Sequence, residues 1–514
     1  MSSLDTILAS RERREDCLRV KHLGSMWLKM HWRALAVKHS LHIVPGERIL
    51  HVGAGAGAWS EEVSTVLRGE NPITGAVFAR ELLKEAESRT SHNLTFVDGA
   101  KLDDCVPRAS FDYIIGSSVL WHEQFVEFLV RLRPFLKPGG QILFFDSNLN
   151  FPGRRLVKAL NVFDDDRFRA SPEDVLHAFS HLGFTHVDIV PYDLLPVQLG
   201  AKALRLLQAK TLPFEHASLL KRFCTSNYVS ARLPGPPRTN LPNLAEHRDL
   251  VGAVSVVIPC RNEAQNLPGL INRLLCCYGP YIHEIVIVND NSTDDTRPLV
   301  ERLRENEPRI RLINRTPPGG VGRALKDGYQ AATGRYILSM DCDFVEIIPE
   351  FRGLFDAIVN GYDGAIGSRF SHDSVLLNYP FTKMICNRAL HILIKLFLRD
   401  VRDVTNNLKL YKSDILKNLK IESPHFSANL ETGLKPMLVG YRIKEVPCSW
   451  IDRTVEMGTS SFYIRRVGMD YARTLLRIWK TAPGSRSAWF AIADVARIAD
   501  RARAQAMTAG APPG

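Results

Sequence analysis

Long apolar runs are missing from this 514-residue chain. No stretch reaches the roughly 20 consecutive apolar residues that cross a bilayer as a helix, so a membrane-spanning chain is not expected. The first twenty residues, to Val20, are studded with arginine and glutamate and lack an apolar centre, so no signal peptide is expected. Cysteine is sparse and unpatterned: nine residues, an odd number, with only Cys276 and Cys277 as near neighbours. They form neither a zinc spacing nor a C-x-x-C redox pair, and the implied compartment is a reducing, cytoplasmic one. An acidic excess is also lacking, since 66 Lys and Arg stand against 55 Asp and Glu, a net charge of +11. Such a balance invites nucleic acid or an anionic membrane. Basic residues interleaved with exposed aromatics, or a recognisable nucleic-acid module, are absent, which excludes nucleic acid and leaves the membrane. No internal repeat is present.

What is there is enough apolar sequence, 45% of the chain, for two or three globular domains with their own cores. Leu233-Pro-Gly-Pro-Pro-Arg-Thr-Asn-Leu-Pro242 reads as a stiff linker, with flexibility continuing to about Asp249. The predicted division is residues 1–235, a linker over 236–250, 251–462, a basic helical tail over 463–504 and a disordered end over 505–514, where small residues and proline dominate.

The second half is organised around Tyr336-Ile-Leu-Ser-Met-Asp-Cys-Asp-Phe344, a buried-strand pattern that runs into two carboxylates. Alternation along an extended chain points Asp341 and Asp343 the same way, which suits a hard divalent cation shared with a diphosphate. Upstream, Ala253 to Glu263 and Glu284 to Asp294 are further buried runs that end in acids. Helical stretches follow from Asn266 to Cys277 and from about Asp295 to Glu305. A strand at Ile310 to Ile313, Gly-rich Pro317 to Gly322 and a helix from Arg323 to Ala332 complete the lead-in. Alternating strands and helices predict an α/β fold with a parallel sheet. Its ligands belong beyond the carboxyl ends of the strands, where Glu263, Asp290 and Asp341 fall.

These residues carry a resemblance. Residues 253 to about 460 resemble a family 2 glycosyltransferase of the GT-A fold, close to the polyprenyl or dolichyl phosphate mannosyltransferases. Val257-Ile-Pro-Cys-Arg-Asn-Glu263 stands for V-x-P-x-Y-N-E, and Asn289-Asp-Asn-Ser292 for D-D-x-S. Asp341-Cys-Asp343 stands for the metal-binding D-x-D, and Gly367-Ser-Arg369 for G-x-R. Asp403 to Tyr411 stands for D-x-T-x-x-x-R-L-Y, and Val446 to Arg453 ends in the family's D-R. The resemblance implies that Pro259, Arg261, Glu263, Asp290, Asp341, Arg369 and Arg453 bind a nucleotide sugar, with Glu263 and Asp290 on base and ribose. It implies that Asp341 and Asp343 hold Mg or Mn on the diphosphate, and that Asp343, Glu431 and Arg453 serve catalysis. Charge that builds on a departing nucleoside diphosphate suits a metal with Arg369 and Arg453. Two departures stand out: Asn289 replaces an acid, and Ser460-Ser461 stands where relatives often carry Ser-Lys. Glu431 has two readings, an acid near the acceptor or a carboxylate that favours the start of a helix. An acceptor phosphate is already an anion and needs no strong base, whereas a hydroxyl needs a carboxylate within reach.

Two stretches bear on the membrane. Between Phe381 and Val401, Arg388, His391, Lys395 and Arg399 recur at helical spacing among Ile385, Leu390, Ile392 to Ile394 and Leu396 to Leu398. Those residues are too few to span a bilayer and too apolar for a free surface, so burial against protein or insertion in the interface is expected. Arg465 to Arg503 carries nine Lys and Arg against three Asp, with Leu475, Leu476, Ile478 and Trp479 among its apolar residues. It reads as basic amphipathic helix able to lie on an anionic bilayer, or as a solvated helix packed on the domain.

The first half contains Glu47-Arg-Ile-Leu-His-Val-Gly-Ala-Gly-Ala-Gly-Ala-Trp59, a strand, a turn with Gly53, Gly55 and Gly57, and a helix. With Phe111 to His122, Leu136 to Phe145 and a strand pair at Thr185 to Val190 and Tyr228 to Leu233, it resembles a class I methyltransferase of Rossmann-like fold over residues 20 to 235. The resemblance implies S-adenosylmethionine at Gly53, Gly55 and Gly57. Its acids are missing: His51 stands at the first strand, Val77 where the ribose acid belongs and Ala100 on the adenine side, with Asp98 or Asp103 as substitutes. A lost ribose acceptor forfeits roughly a hundredfold in affinity. A degenerate domain that recruits a partner or steadies its neighbour is therefore expected, with an active methyltransferase as the alternative.

The reading is an enzyme that transfers a sugar from a metal-bound nucleotide sugar to a polyprenyl phosphate, with inversion. Lipid acceptor and inversion come from the resemblance. Against it stand a bifunctional enzyme that glycosylates and methylates a hydroxyl-bearing acceptor, and a binding protein built from two decayed folds.

Overall fold

The computed structural model describes residues 2–120, 122–148, 171–195, 197–205, 223–235, 244–342, 344, 350–371, 373–377, 379, 381–451, 464–481 and 489. Two compact units emerge: Met1–Pro242 with Val375–Phe381, and Asn243–Ser374 with Thr382–Gly514.

The first unit begins with α1 (Ser3–Lys21), whose start is fixed by a capping box between Ser2 and Asp5. After α2 (Leu23–Leu41) come β1 (Ile49–Val52), α3 (Ala58–Val66), β2 (Ile73–Val77), α4 (Arg80–Glu87), β3 (Leu94–Asp98) and β4 (Phe111–Ser117). Then follow α5 (Phe125–Leu132), β5 (Leu136–Ser147), α6 (Pro172–His181), β6 (Thr185–Tyr192) and β7 (Ser226–Arg232). The sheet order is β3-β2-β1-β4-β5-β7-β6, with β7 antiparallel to both its neighbours and the other pairs parallel. The order reverses at β1, where β2 and β4 flank it, and a crevice at the strands' carboxyl ends results.

The second unit opens with a short helical stretch, Leu244–Leu250, inside the predicted linker. Its order has a cause: Leu250 is buried and His247 Nε2 lies 2.8 Å from Asp356 Oδ1. β8 (Val254–Cys260), α7 (Leu267–Tyr278), β9 (Ile282–Asn289), α8 (Thr296–Asn306), β10 (Ile310–Asn314) and α9 (Val321–Ala331) lead to β11 (Tyr336–Ser339). α10 (Arg352–Val359), β12 (Gly364–Ser368), α11 (Phe381–Phe397), β13 (Lys409–Lys412), α12 (Ser413–Asn418), α13 (Ala428–Val439), β14 (Ile443–Pro447) and α14 (Ile464–Thr481) follow. The sheet runs β10-β9-β8-β11-β13-β12-β14, and β13 is antiparallel to β11 and β12. β8 is buried along its whole length, as its near-continuous apolar sequence requires of a strand covered on both faces. β11 stops at Ser339, so Asp341 emerges just past the strand's end, as its sequence leads one to expect. Both units are α/β, as predicted.

Candidate active site

Three adjacent parallel strands, β9, β8 and β11, end side by side, and acids leave all three ends. β8 carries Pro259, which has no N–H to give and lies one residue from the strand's end. The chain then turns through Asn262 at φ +58°, a left-handed conformation that asparagine tolerates. The Asn262 backbone N–H donates to Ser292 Oγ at 3.0 Å, and Thr293 N–H returns a bond to Asn262 Oδ1 at 2.8 Å. Glu263 N–H donates to Thr296 Oγ1 at 3.0 Å, and Ala264 N–H to Asp294 Oδ2 at 3.2 Å. The turns after β8 and β9 are thus one hydrogen-bonded body, with Arg261 exposed on it and the Glu263 carboxylate accepting from Asn266 Nδ2.

Asp290 is held from two sides. Arg315 Nη1 pairs with its Oδ1, and Gly320 N–H donates to its Oδ2 at 2.6 Å. Gly320 sits at φ +149° with the Pro424 carbonyl oxygen 2.3 Å from where a Cβ would be, so only glycine fits and the Gly-rich turn is kept close to Asp290. Asn289, the departure from the acidic motif, donates to Asn314 Oδ1 at 2.9 Å and accepts from Ser292 N–H at 3.2 Å. Its amide both gives and receives, which a carboxylate cannot do.

Asp341 emerges beside β8: Met340 N–H donates to Val257 O at 3.2 Å, and Cys342 Sγ lies 3.4 Å from Pro259 O. The carboxylate is half-buried, and Asn407 Nδ2 donates to its Oδ1 at 2.8 Å. Asn407 Oδ1 in turn accepts from Ser339 Oγ at 2.7 Å, and Ser339 Oγ accepts from Tyr329 OH at 3.0 Å. Lys409, two residues on from Asn407, is buried with Nζ donating to Asn429 O at 3.0 Å. Burial pushes its ammonium down to about 7 against the pull of Asp403 and Asp341. Among the described residues no group of three His, Cys, Asp or Glu could hold a metal. Asp343, Arg453, Ser460 and Ser461 lie outside the described residues. The donor chemistry of Asp341 nonetheless fits Mg²⁺ or Mn²⁺, hard cations that take a carboxylate or two, the substrate's phosphates and waters.

Two further expected site residues are engaged within the protein. The Arg369 fork meets Asp403: Nε and Nη2 lie 2.7 and 3.0 Å from Oδ2 and Oδ1, and Nη2 also donates to Thr405 Oγ1 at 3.0 Å. The guanidinium lies 5.4 Å from the Trp450 ring centroid and is buried. Burial raises the Asp403 carboxyl, but the Arg369 charge and its hydrogen bonds outweigh this and hold it well below the usual range. His391 completes the cluster, pressed by burial down to about 4. Its Nε2 accepts from Val404 N–H at 3.0 Å, which requires the neutral ring. Glu431 is fully buried in the first turn of α13. Its Oε2 accepts from Glu422 and Ser423 N–H at 3.0 and 2.8 Å, and its Oε1 faces Lys435 Nζ at 2.8 Å and Arg477 Nη2 at 3.2 Å. It sits at a helix start, as one of its two readings has it, with both carboxylate oxygens engaged by protein groups.

In the first unit Gly53, Gly55 and Gly57 take φ of +71°, +51° and +82°. A Cβ on Gly57 would lie 2.6 Å from the Phe96 ring and one on Gly53 2.9 Å from Val119 Cγ1, so two of the three glycines answer to packing. His51 is buried against Trp59, its Nδ1 2.6 Å from Ser60 Oγ, and burial depresses it to about 3.

Comparison with known proteins finds a family for each unit. Residues 255–427 match the family model described as glycosyl transferase family 2, and residues 49–140 the one described as methyltransferase domain. The chain carries a family 2 glycosyltransferase domain after a methyltransferase domain. The polyprenol monophosphomannose synthase of Mycolicibacterium smegmatis is 28% identical over 214 residues, 40% of this chain and 79% of that protein. The dolichol-phosphate mannosyltransferase of Pyrococcus furiosus is 28% identical over 233 residues, 44% of this chain and 64% of that protein, so less than two thirds of its length is spanned. Among solved structures, glucosyl-3-phosphoglycerate synthase of Mycobacterium tuberculosis with Mn²⁺ and UDP-glucose aligns at 17% identity and a TM-score of 0.35, covering 48% of this chain and 87% of that one.

The residue that sequence reasoning missed is Glu12, whose carboxylate accepts the N–H groups of Gly55, Phe78 and Ala79. Ser2 and Asp5, a cap three residues apart, with Leu4 and Leu8 one turn apart, were the signal that a docked helix begins there.

Proposed function

We propose that the second unit moves a sugar from a nucleotide sugar to a polyprenyl phosphate, with a divalent cation and with inversion by single displacement. The observation that carries this reading is the convergence of Glu263, Asp290 and Asp341 at the ends of three neighbouring parallel strands. Pro259, Arg261, Glu263 and Asp290 would hold base and ribose, Asp341 with Asp343 the Mg²⁺ or Mn²⁺, and Arg453 the diphosphate. A bound cation supplies charge stabilisation at the leaving diphosphate. Asn407 keeps Asp341 oriented, and the body of turns after β8 and β9 fixes the nucleotide side. The lipid acceptor is supported by the names of the two mannosyltransferase relatives. It is supported too by Glu431, whose engaged carboxylate is unsuited to act as a base, while an acceptor phosphate requires none.

A lipid acceptor also suits the surface. α11 exposes Ile385, Ile392, Leu393, Leu396 and Phe397, with Ile392 at 60% and Leu396 at 70%. α14 exposes Met469, Leu476 and Trp479, and the Phe397 and Trp479 rings stand 6.0 Å apart, so the two faces are continuous. Lys395, Arg473 and Lys480 are exposed on the same two helices, and Arg399 is exposed just past the end of α11. Such a patch of apolar and basic residues fits attachment to an anionic bilayer, and no described helix is long and apolar enough to cross one.

The test is transfer of label from nucleotide sugars, screened one by one, to polyprenyl phosphate with Mg²⁺ or Mn²⁺, read in an organic extract. Asp341→Ala and Asp343→Ala are expected to abolish the extractable product. Label that appears in the aqueous phase alone would rule out the lipid acceptor.

A further inference from the structure

The first unit has its own crevice, at the carboxyl ends of β1, β2 and β4, where a parallel α/β sheet takes its ligand. The methyltransferase domain implies S-adenosylmethionine at that place, and the residues present do not fit it. Val77, at the end of β2, is wholly buried hydrocarbon where a ribose acceptor is needed. The two acids named as substitutes are engaged elsewhere: Asp98 Oδ1 accepts from Ala100 N–H at 3.0 Å, and Asp103 lies 3.1 Å from Arg131.

Three backbone donors of the crevice are engaged as well, and from within the chain. Glu12 reaches down from α1, its Oε1 accepting from Gly55 N–H at 3.2 Å and its Oε2 from Phe78 and Ala79 N–H at 2.9 and 2.6 Å. These amides lie in the glycine turn after β1 and just past the end of β2, the two turns that flank a nucleoside in such a sheet. Glu15, one turn further along the same helix, accepts from Ser117 and Ser118 hydroxyls at 3.0 and 2.6 Å, at the end of β4. One helix therefore stitches three strand ends together. Apolar contacts secure it: Leu4, Leu8 and Ala9 are buried in the cluster that contains Phe78 and Val119. Arg131, which meets Asp5 at 2.7 Å, ties the helix start to α5.

We propose that α1 occupies the nucleoside side of the crevice, Glu12 holding the amide donors of two strand-end turns that a nucleoside would otherwise take, so that the first unit binds no methyl-donor cofactor while α1 is docked. An incoming nucleoside meets two obstacles. It must take the three N–H groups from Glu12, which leaves a buried carboxylate without its acceptor bonds, or lift α1 and expose Leu4, Leu8 and Ala9. Neither step is matched by a gain at Val77.

Two measurements on the full-length chain test this. Amide hydrogen exchange read by mass spectrometry over residues 53–57 and 76–80 is expected to be slow in the wild type and at least tenfold faster in Glu12→Ala. Rates that do not change in Glu12→Ala would overturn the proposal. Where Glu12→Ala lowers the folded fraction by circular dichroism, Glu12→Gln, which keeps one carbonyl acceptor, makes the comparison, with faster exchange expected and wild-type rates overturning. Calorimetric titration of the wild type with S-adenosylhomocysteine is expected to show binding no tighter than roughly 1 mM, and micromolar binding would overturn the proposal.

Discussion

Asn407 donates its side-chain amide to Asp341 at 2.8 Å and receives Ser339 Oγ at 2.7 Å, so the acid at the tip of β11 is oriented by a residue 66 positions later in the chain. β13 lies antiparallel beside β11 and delivers Asn407 there from the loop that precedes it. If Asp341 binds the cation, Asn407 is its positioning residue. Partners that orient a metal ligand commonly contribute about 10–100-fold in metal affinity or activity. Asn407→Ala is expected to raise the Mn²⁺ or Mg²⁺ concentration for half-maximal transfer by about that factor, with donor KM changed less. A loss of rate independent of metal concentration would mean that Asn407 only supports the fold.

The Arg369 and Asp403 pair is expected to matter for stability. Removing one member of a buried ion pair leaves the other unpaired and costs about 3–5 kcal/mol. Arg369→Ala should lower the second unit's melting transition accordingly. Arg369→Lys should not restore it, because a single ammonium cannot make both contacts to Asp403 while bonding Thr405. The pH sign follows from the depressed carboxyl. The stability it contributes is present above the unfolded value of 3.8 and is lost as pH falls below it, so Asp403→Asn should flatten the acid limb of the stability curve.

Glu12 works in the opposite direction. Burial raises its carboxyl from 4.5 to about 7, despite the three N–H bonds that favour the ion. Between those values the folded chain binds more protons than the unfolded one, so stability falls as pH rises through the window and is constant outside it. The full effect is on the order of 3 kcal/mol. Thermal melts of the first unit's transition from pH 5 to pH 8 should show that decline in the wild type and a flatter profile in Glu12→Gln. A wild-type transition that rises over the same range would contradict the shift.

Much of this architecture is legible in the sequence, and the boundary of legibility has a physical cause. Val254 to Cys260 and Ile282 to Asn289 are apolar runs closed by proline, asparagine and acids, so strand and strand end can both be read locally. The alternation of such strands with helices then places Glu263, Asp290 and Asp341 at one edge. The Arg369 pair is where reading stops: its motif shows a cation two residues beyond a glycine, while its partner Asp403 lies 34 positions away and meets it only across the folded sheet. Glu431 shows the same limit, since whether a carboxylate faces a ligand or caps Glu422 and Ser423 depends on tertiary packing. Glu12 was hidden by composition. α1 is too rich in arginine and glutamate for its buried face of Leu4, Leu8, Ala9 and Glu12 to stand out.

Membrane attachment gives the last prediction. α11 turns Ile385, Ile392, Leu393, Leu396 and Phe397 outward although each is large and apolar, and α14 adds Trp479 beside Phe397. Inserting one such side chain into a bilayer's interface is worth up to about 1.5–3 kcal/mol, roughly a ten- to hundredfold change in partition. Lys395, Arg399, Arg473 and Lys480 add attraction to anionic headgroups that weakens as salt shortens the screening length. The full-length chain should therefore sediment with anionic liposomes at low salt and less so at high salt. Leu396→Glu and Phe397→Glu should each release it at low salt without changing the melting temperature, because both side chains are exposed already. Wild-type protein that stays in the supernatant at low salt would exclude the attachment while leaving the transfer reaction open to water-soluble acceptors.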